Sequence, residues 1–169
     1  VGTAIAREPR ERPGAGQARV PASHRVAAMS VWSLLVPGFA SPLSADELAG
    51  LACEPEVESR LVLGKLGAHW VLEHGPFESK RLEKLPNEDW TLLVQDVDKW
   101  VPEVASLLAP LRWLPDWRID DIMVSYAAPG GGVGPHVDSY DVFLLQGEGR
   151  RLWRIGKPGK PQLVKNSPL

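Results

Sequence analysis

The feature that most restricts the fold of this chain is a succession of short apolar runs separated by glycine and proline turns. Residues 122–127 (IMVSYA), 142–146 (VFLLQ) and 151–155 (RLWRI) each have the length and composition of a strand. A glycine-rich loop at 130–134 joins the first run to the second, and residues 147–149 (GEG) form a tight turn before the third. The pattern predicts an antiparallel β-sheet in which the last two runs pair with each other.

Upstream of these runs the sequence predicts short helices and further strands. Ser44 begins a capping box, with Glu47 three residues later, so a helix is expected through Ala52. The remaining predicted elements are strands at 57–63 and 68–73, a strand or helix start at 90–94, and an amphipathic helix at 101–111.

The first 36 residues show neither the 3.6-residue periodicity of a helix nor the two-residue alternation of a strand. Residues 1–28 are rich in Ala, Arg, Gly and Pro and lack aromatic side chains, whereas all seven tryptophans come later. This composition predicts a disordered or non-native leader, with Met29 as an internal start. An alternative interpretation takes Arg25 and the apolar residues 26–36 as a secretory signal, although Pro37 interrupts that run.

Composition excludes several function classes. The net charge of -2 does not favour direct nucleic-acid binding, which usually needs a basic surface. A single cysteine, Cys53, excludes an internal disulfide and a cysteine-based zinc cage. No apolar run approaches the ~20 residues of a membrane span. These features predict a cytoplasmic protein.

The triplet His136-Val137-Asp138 is the main chemical signal. If it lies on a strand, residues i and i+2 project from the same face, so an imidazole and a carboxylate can reach one metal. Two histidines and one carboxylate form the facial triad that binds non-haem iron(II) and leaves coordination positions open for substrates. The triplet alone is a weak motif, and a surface turn is the alternative.

Longer segments give this triplet a context. They resemble the YcfD/RoxA family of bacterial ribosomal oxygenases over residues 37–157. The similar segments are 41–52 (SPLSADELAGLA), 74–78 (HGPFE), 116–126 (DWRIDDIMVSY), 129–143 (PGGGVGPHVDSYDVF) and 146–154 (QGEGRRLWR).

The resemblance implies a β-rich α+β fold, a partial double-stranded β-helix of the JmjC/cupin jelly-roll type preceded by short helices. It implies an iron(II)- and 2-oxoglutarate-dependent dioxygenase that hydroxylates an arginine of a large-subunit ribosomal protein. His136 and Asp138 would be iron ligands. Arg151 would bind the distal carboxylate of 2-oxoglutarate, and Ser125 would donate a hydroxyl to it. An exposed strand arginine is the alternative for Arg151.

The chain also departs from the family pattern. The family has a second iron histidine several dozen residues after the triplet, but His24, His69 and His74 all precede His136. The family's dimerisation region is likewise not recognised. We therefore expect a leader at 1–36, the N-terminal part of a JmjC/cupin domain at 37–157, and a truncated tail at 158–169 of a gene fragment. A catalytically inactive, cupin-like binding module is the alternative function.

Three further groups of residues are interpreted from their positions in the sequence. The glycine-rich loop lacks the spacing of a nucleotide-binding motif, so we interpret it as the approach to the active site. Tyr140 and Asp141 follow the metal pair and are expected to line the substrate groove. Asp120 and Asp121 are interpreted as a turn or surface charge.

Overall fold

A computed structural model of the chain describes residues 2–6, 39–64, 69–136, 138 and 140–154. These residues form one antiparallel sheet of six strands in the order β3-β2-β4-β5-β1-β6. The strands are β1 (Gly2–Ala6), β2 (Ser59–Leu63), β3 (Val71–His74), β4 (Trp90–Val94), β5 (Ile122–Ala127) and β6 (Val142–Gln146). The ambiguous segment at 90–94 is thus a strand.

Short helices surround this sheet. They are α1 (Ala45–Leu51), α2 (Ser79–Glu83) and α3 (Pro102–Ala105), with 3-10 turns at Val97–Lys99, Ser106–Leu111 and Asp116–Arg118. The predicted capping box is confirmed: Glu47 N donates to Ser44 Oγ at 3.2 Å, and Ser44 N donates to the Glu47 carboxylate at 2.8 Å. The predicted helix at 101–111 is only one α-turn followed by 3-10 turns. Within the described residues, no helix is long and apolar enough to cross a membrane.

The two faces of the sheet have different roles. Alternate residues of the central strands, on what we call the core face, pack against α1 and α3 in one apolar cluster. This cluster includes Leu48, Leu61, Leu92, Val94, Val104, Ile122 and Val124. The intervening residues point to the opposite side, the second face, which carries Arg60, Val62, Thr91, Leu93, Met123 and Ser125. Polar groups therefore gather on the second face.

The structure corrects two expectations. Gly2–Ala6, assigned to an unstructured leader, is a strand that pairs with both β5 and β6. A five-residue segment of small and β-branched residues is a weak local signal, and its strand conformation comes from hydrogen bonding to two distant strands. In addition, β6 pairs with β1 and not with residues 151–154, which are not in a strand. Ile155, the last residue of the predicted strand, lies outside the described residues.

Candidate metal and anion site

Strand β5 carries a buried hydroxyl on the second face. Ser125 is only 4% exposed. Arg151, which follows β6 and its turn, donates a hydrogen bond from Nη1 to Ser125 Oγ at 3.3 Å. The two residues predicted to bind a carboxylate, 26 positions apart in the sequence, are thus in contact.

The Arg151 guanidinium is half-buried and lacks a counterion within the described part of the chain. No described carboxylate lies within ion-pair distance of it, and burial lowers the pKa of its guanidinium below the ordinary value. Its Cζ lies 5.8 Å from the centroid of the Trp153 ring, a cation–π distance that restricts the orientation of the guanidinium. A half-buried cation of this kind is stabilised by an anion that supplies the missing charge.

His136 and Asp138 converge in the loop between β5 and β6. His136 Nε2 lies 3.6 Å from Asp138 Oδ2, while Nδ1 lies 3.0 Å from the carbonyl oxygen of Gly134. A neutral imidazole that donates Nδ1–H to this carbonyl presents the Nε2 lone pair on the side of the carboxylate. Two ligand atoms bound to one metal at about 2.1 Å lie roughly 3.0–3.5 Å apart, so the pair has nearly the separation that coordination needs.

The sequence had suggested that a strand would bring His136 and Asp138 together, but the structure places neither residue in a strand. His136 and Asp138 lie in irregular backbone, and Val137 is outside the described residues. Both side chains are partly open to solvent, at 48% and 38% of their surface. Over the described ranges no group of three His, Cys, Asp or Glu side chains is placed to hold a metal. His69 and His74 are exposed, and His74 is on β3 at the far edge of the sheet.

The glycine-rich loop is fixed at its start by contacts with β4. Asp89 N donates to the Pro129 carbonyl at 2.8 Å, and Gly131 N donates to the Ala128 carbonyl at 2.9 Å. Gly130 has φ +77°, and a Cβ on Gly131 would collide with the Trp90 carbonyl. Glycine is required here because the loop passes directly over the β4 backbone before it reaches His136.

Asp121 is a buried residue whose role the sequence did not reveal. It is 2% exposed, so its assignment to a surface turn was wrong. Its Oδ2 accepts hydrogen bonds from Gln95 Nε2 at 2.8 Å and from Asp96 N at 3.0 Å, while Oδ1 has no partner in the described structure. Burial raises the pKa of Asp121, and this effect outweighs the opposing hydrogen bond from the Asp96 backbone.

Tyr140 and Asp141 follow the His136–Asp138 pair in the sequence. Tyr140 is 37% exposed, and its pKa is raised first by partial burial and then by the Asp138 charge. Asp141 is exposed. Both residues are therefore accessible to solvent, and their position along a substrate groove stays a prediction.

Comparison with known proteins supports the fold and the family. A JmjC domain model matches residues 106–168. The chain is 55% identical over 130 residues to the ribosomal protein uL16 3-hydroxylase of Escherichia coli (strain K12), covering 77% of this chain and 34% of that protein. It is 41% identical over 122 residues to a probable ribosomal oxygenase of Haemophilus influenzae Rd, covering 72% and 30% respectively. The chain thus spans about a third of the length of these curated relatives.

Solved structures give the same result. The E. coli ribosomal oxygenase YcfD in complex with cobalt and succinic acid matches with a TM-score of 0.57 at 55% identity, over 60% of this chain and 28% of that one. The complex of YcfD with cobalt and 2-oxoglutarate matches with a TM-score of 0.56 at 54% identity, over 60% and 27%. The expected partial jelly roll of the JmjC type is thereby confirmed. The chain is therefore a homologue of the bacterial ribosomal oxygenases and contains part of a JmjC domain.

Proposed function

We propose that the chain provides the co-substrate and iron-binding part of an iron(II)- and 2-oxoglutarate-dependent dioxygenase that hydroxylates a ribosomal protein. In this proposal His136 and Asp138 bind iron, while Arg151 and Ser125 bind the distal carboxylate of 2-oxoglutarate. The donor types fit iron(II), since neutral imidazole and carboxylate are the ligands of the facial triad.

The observation that carries the proposal is the Arg151–Ser125 pair. A half-buried guanidinium without a carboxylate partner in the described structure, hydrogen-bonded to a buried hydroxyl, forms an incomplete anion site. The planar fork of an arginine matches a carboxylate with two parallel hydrogen bonds, and the serine hydroxyl can donate a third. A dicarboxylate such as 2-oxoglutarate supplies the charge that this site lacks.

The protein groups hold and orient the reactants. Iron, when bound, supplies the activation of dioxygen that is coupled to the oxidative decarboxylation of 2-oxoglutarate. His136 is oriented for this role by the Gly134 carbonyl, which fixes the ring through Nδ1. Arg151 holds the end of the dicarboxylate that is remote from the metal, and Trp153 limits the motion of its guanidinium.

The proposed acceptor is an arginine of the large-subunit protein uL16, because the E. coli relative is a uL16 3-hydroxylase. Tyr140 and Asp141 are exposed and follow Asp138 closely in the sequence, and an acidic residue near the metal would attract the acceptor's guanidinium. A ribosomal acceptor places the reaction in the cytoplasm.

The direct test incubates the purified chain with Fe²⁺, 2-oxoglutarate, dioxygen and uL16. The proposal expects succinate to form and uL16 to gain the mass of one oxygen atom, with both products absent when Fe²⁺ is replaced by Zn²⁺. Asp138→Ala should abolish both products, whereas Glu88→Ala, an exposed residue between α2 and β4, should leave them unchanged. Succinate formation that persists in Asp138→Ala would contradict the proposed iron site.

A second candidate function follows from the number of metal ligands. The described residues hold no group of three His, Cys, Asp or Glu side chains placed to bind a metal. Two protein ligands bind a metal less firmly than three, so a module that binds 2-oxoglutarate without turnover is the alternative. Binding of 2-oxoglutarate without succinate formation in the same assay would establish this alternative.

A further inference from the structure

Thr91 carries a buried hydroxyl that the proposed chemistry does not yet use. It is 1% exposed at the beginning of β4, and Oγ1 has no hydrogen-bond partner in the described structure. Buried side-chain hydroxyls in proteins are nearly always hydrogen-bonded, since leaving one unpaired is destabilising. An unpaired threonine hydroxyl in the middle of a sheet therefore requires an explanation.

The strand register places Thr91 near the anion site. Thr91 is opposite Ala127, while Leu93 is opposite Ser125, so Thr91 and Ser125 lie on the second face in adjacent rows of neighbouring strands. Such diagonal residues are about 7–8 Å apart. One carboxylate can reach hydroxyls carried on such a pair of residues, because each of its oxygens accepts an O–H···O bond of about 2.7 Å.

The described residues next to Thr91 on its strand and opposite it do not pair with the hydroxyl. Its neighbours across and along the second face are Val62, Leu93 and Ala127, which have no polar side-chain atoms. The adjacent carbonyl of Trp90 already accepts the Ala128 N–H at 3.1 Å. Among the described residues, Thr91 Oγ1 is therefore a hydroxyl that a ligand on the second face could pair.

We propose that Thr91 Oγ1 donates a hydrogen bond to the 2-oxoglutarate carboxylate held by Arg151 and Ser125, an inference that rests on the proposed function. An ionised carboxylate has about four acceptor positions. Arg151 takes two of them when it binds in bidentate fashion and Ser125 takes a third, so one position remains for Thr91. The unpaired hydroxyl is then a ligand contact that is completed only when the co-substrate binds.

This role predicts opposite effects on stability and on binding. Thr91→Val keeps the shape of the side chain and removes the unpaired hydroxyl, so the thermal midpoint of the free protein should stay the same or rise. The same variant should weaken 2-oxoglutarate binding roughly 10–150-fold, the range for one hydrogen bond to a charged group. Thr91→Ser retains the hydroxyl and should restore most of the affinity.

A second buried hydroxyl provides the matched control. Ser59 lies on β2 and is 3% exposed, but its Oγ donates to the Ala52 carbonyl at 3.2 Å, away from the anion site. Ser59→Ala removes a paired hydroxyl, so it should lower the thermal midpoint and leave the affinity for 2-oxoglutarate unchanged. Thr91→Val should therefore weaken 2-oxoglutarate binding without lowering the thermal midpoint, whereas Ser59→Ala should lower the thermal midpoint without weakening binding.

Calorimetric titration of the full chain with 2-oxoglutarate in the presence of Co²⁺, together with thermal unfolding of the free protein, measures both quantities. Weaker binding by Thr91→Val without loss of stability, with recovery in Thr91→Ser, supports the proposal. Unchanged affinity in Thr91→Val, while Arg151→Gln loses affinity, overturns the Thr91 contact and leaves the proposed function intact. Loss of stability in Thr91→Val also overturns the Thr91 contact. If the unmodified chain does not bind 2-oxoglutarate, both the Thr91 contact and the proposed function are overturned.

Discussion

At the scale of single residues, the chemistry of this chain depends on charges that are only partly compensated. Arg151 is half-buried and contacts Ser125 and Trp153, but no described carboxylate. Arg151→Lys keeps the charge and loses the planar fork. The loss of a charge-assisted hydrogen bond amounts to about 1.5–3 kcal/mol, so we expect the dissociation constant of 2-oxoglutarate to rise roughly 10–150-fold.

Calorimetric titration of Arg151→Lys measures this change, with Arg150→Lys as the control because Arg150 is an exposed neighbour. Equal weakening in the two variants would show that general positive charge, and not the geometry of Arg151, determines the affinity.

A second residue-scale prediction concerns Asp121. Burial raises the pKa of its carboxyl, and the charges of Asp96, Asp120 and Asp98 add to the increase. Because the folded state holds the proton more tightly than the unfolded chain, the stability linked to this group is fully present below the unfolded value of about 3.9 and is lost as pH rises through the folded value. Asp121→Asn should remove this dependence and keep an amide oxygen for Gln95 and Asp96 N.

Urea unfolding of Asp121→Asn and of the unmodified chain across a pH series measures the difference. Glu73, whose pKa is lowered by its hydrogen bonds from Arg81, contributes with the opposite sign in both proteins and cancels in the comparison. We expect the variant to gain stability relative to the unmodified chain as pH rises through this window. A difference that is constant with pH would contradict the account of Asp121.

At the scale of elements, the loop that precedes the metal pair is the most constrained segment. A Cβ on Gly131 would collide with the backbone carbonyl of Trp90, so the loop must move away from β4. Gly131→Ala should therefore displace His136 and weaken Co²⁺ binding at least tenfold, with a loss of about 1–3 kcal/mol in stability. Gly132→Ala is the matched control, because open space surrounds that position.

Cobalt titrations of the two alanine variants test this point. Similar affinities in both variants would show that close approach to β4 does not position the metal pair.

The elements that the sequence predicted correctly are those that local chemistry determines. The Ser44–Glu47 capping box and β5 depend on neighbouring residues, and both are present. The pairing of β1 with β5 and β6 joins segments more than 100 residues apart, which no local pattern reveals. Asp121 was assigned to the surface because its partners, Gln95 and Asp96, are 26 and 25 residues away.

The candidate site was predicted only in part, because its geometry depends on loop conformation and on contacts between distant residues. The family resemblance implied that Arg151 and Ser125 bind the same carboxylate, and the structure places these two side chains in contact. The proximity of His136 and Asp138 was also expected, but it arises from loop geometry and a bond to the Gly134 carbonyl instead of strand alternation.

At the scale of the whole molecule, the sheet divides apolar packing from the residues of the proposed ligand site. Its core face packs the apolar cluster, and its second face carries the polar groups. Leu92→Ala on the core face should lower the free energy of unfolding by about 2–5 kcal/mol and leave the affinity of the remaining folded protein for 2-oxoglutarate unchanged. Ser125→Ala on the second face should weaken binding with a smaller loss of stability.

Urea unfolding combined with calorimetry separates these effects. If Leu92→Ala and Ser125→Ala change affinity and stability in the same proportion, the division between the two faces is wrong.

The most direct test of the central claim is anaerobic visible absorption of the chain with Fe²⁺ and 2-oxoglutarate, because a 2-oxoacid chelated to iron(II) gives a charge-transfer band. The account predicts a band that saturates with 2-oxoglutarate, disappears in His136→Ala and Asp138→Ala, and requires a higher 2-oxoglutarate concentration in Arg151→Lys. A band that is equally strong in His136→Ala, or that is absent from the unmodified chain at saturating concentrations, would contradict it.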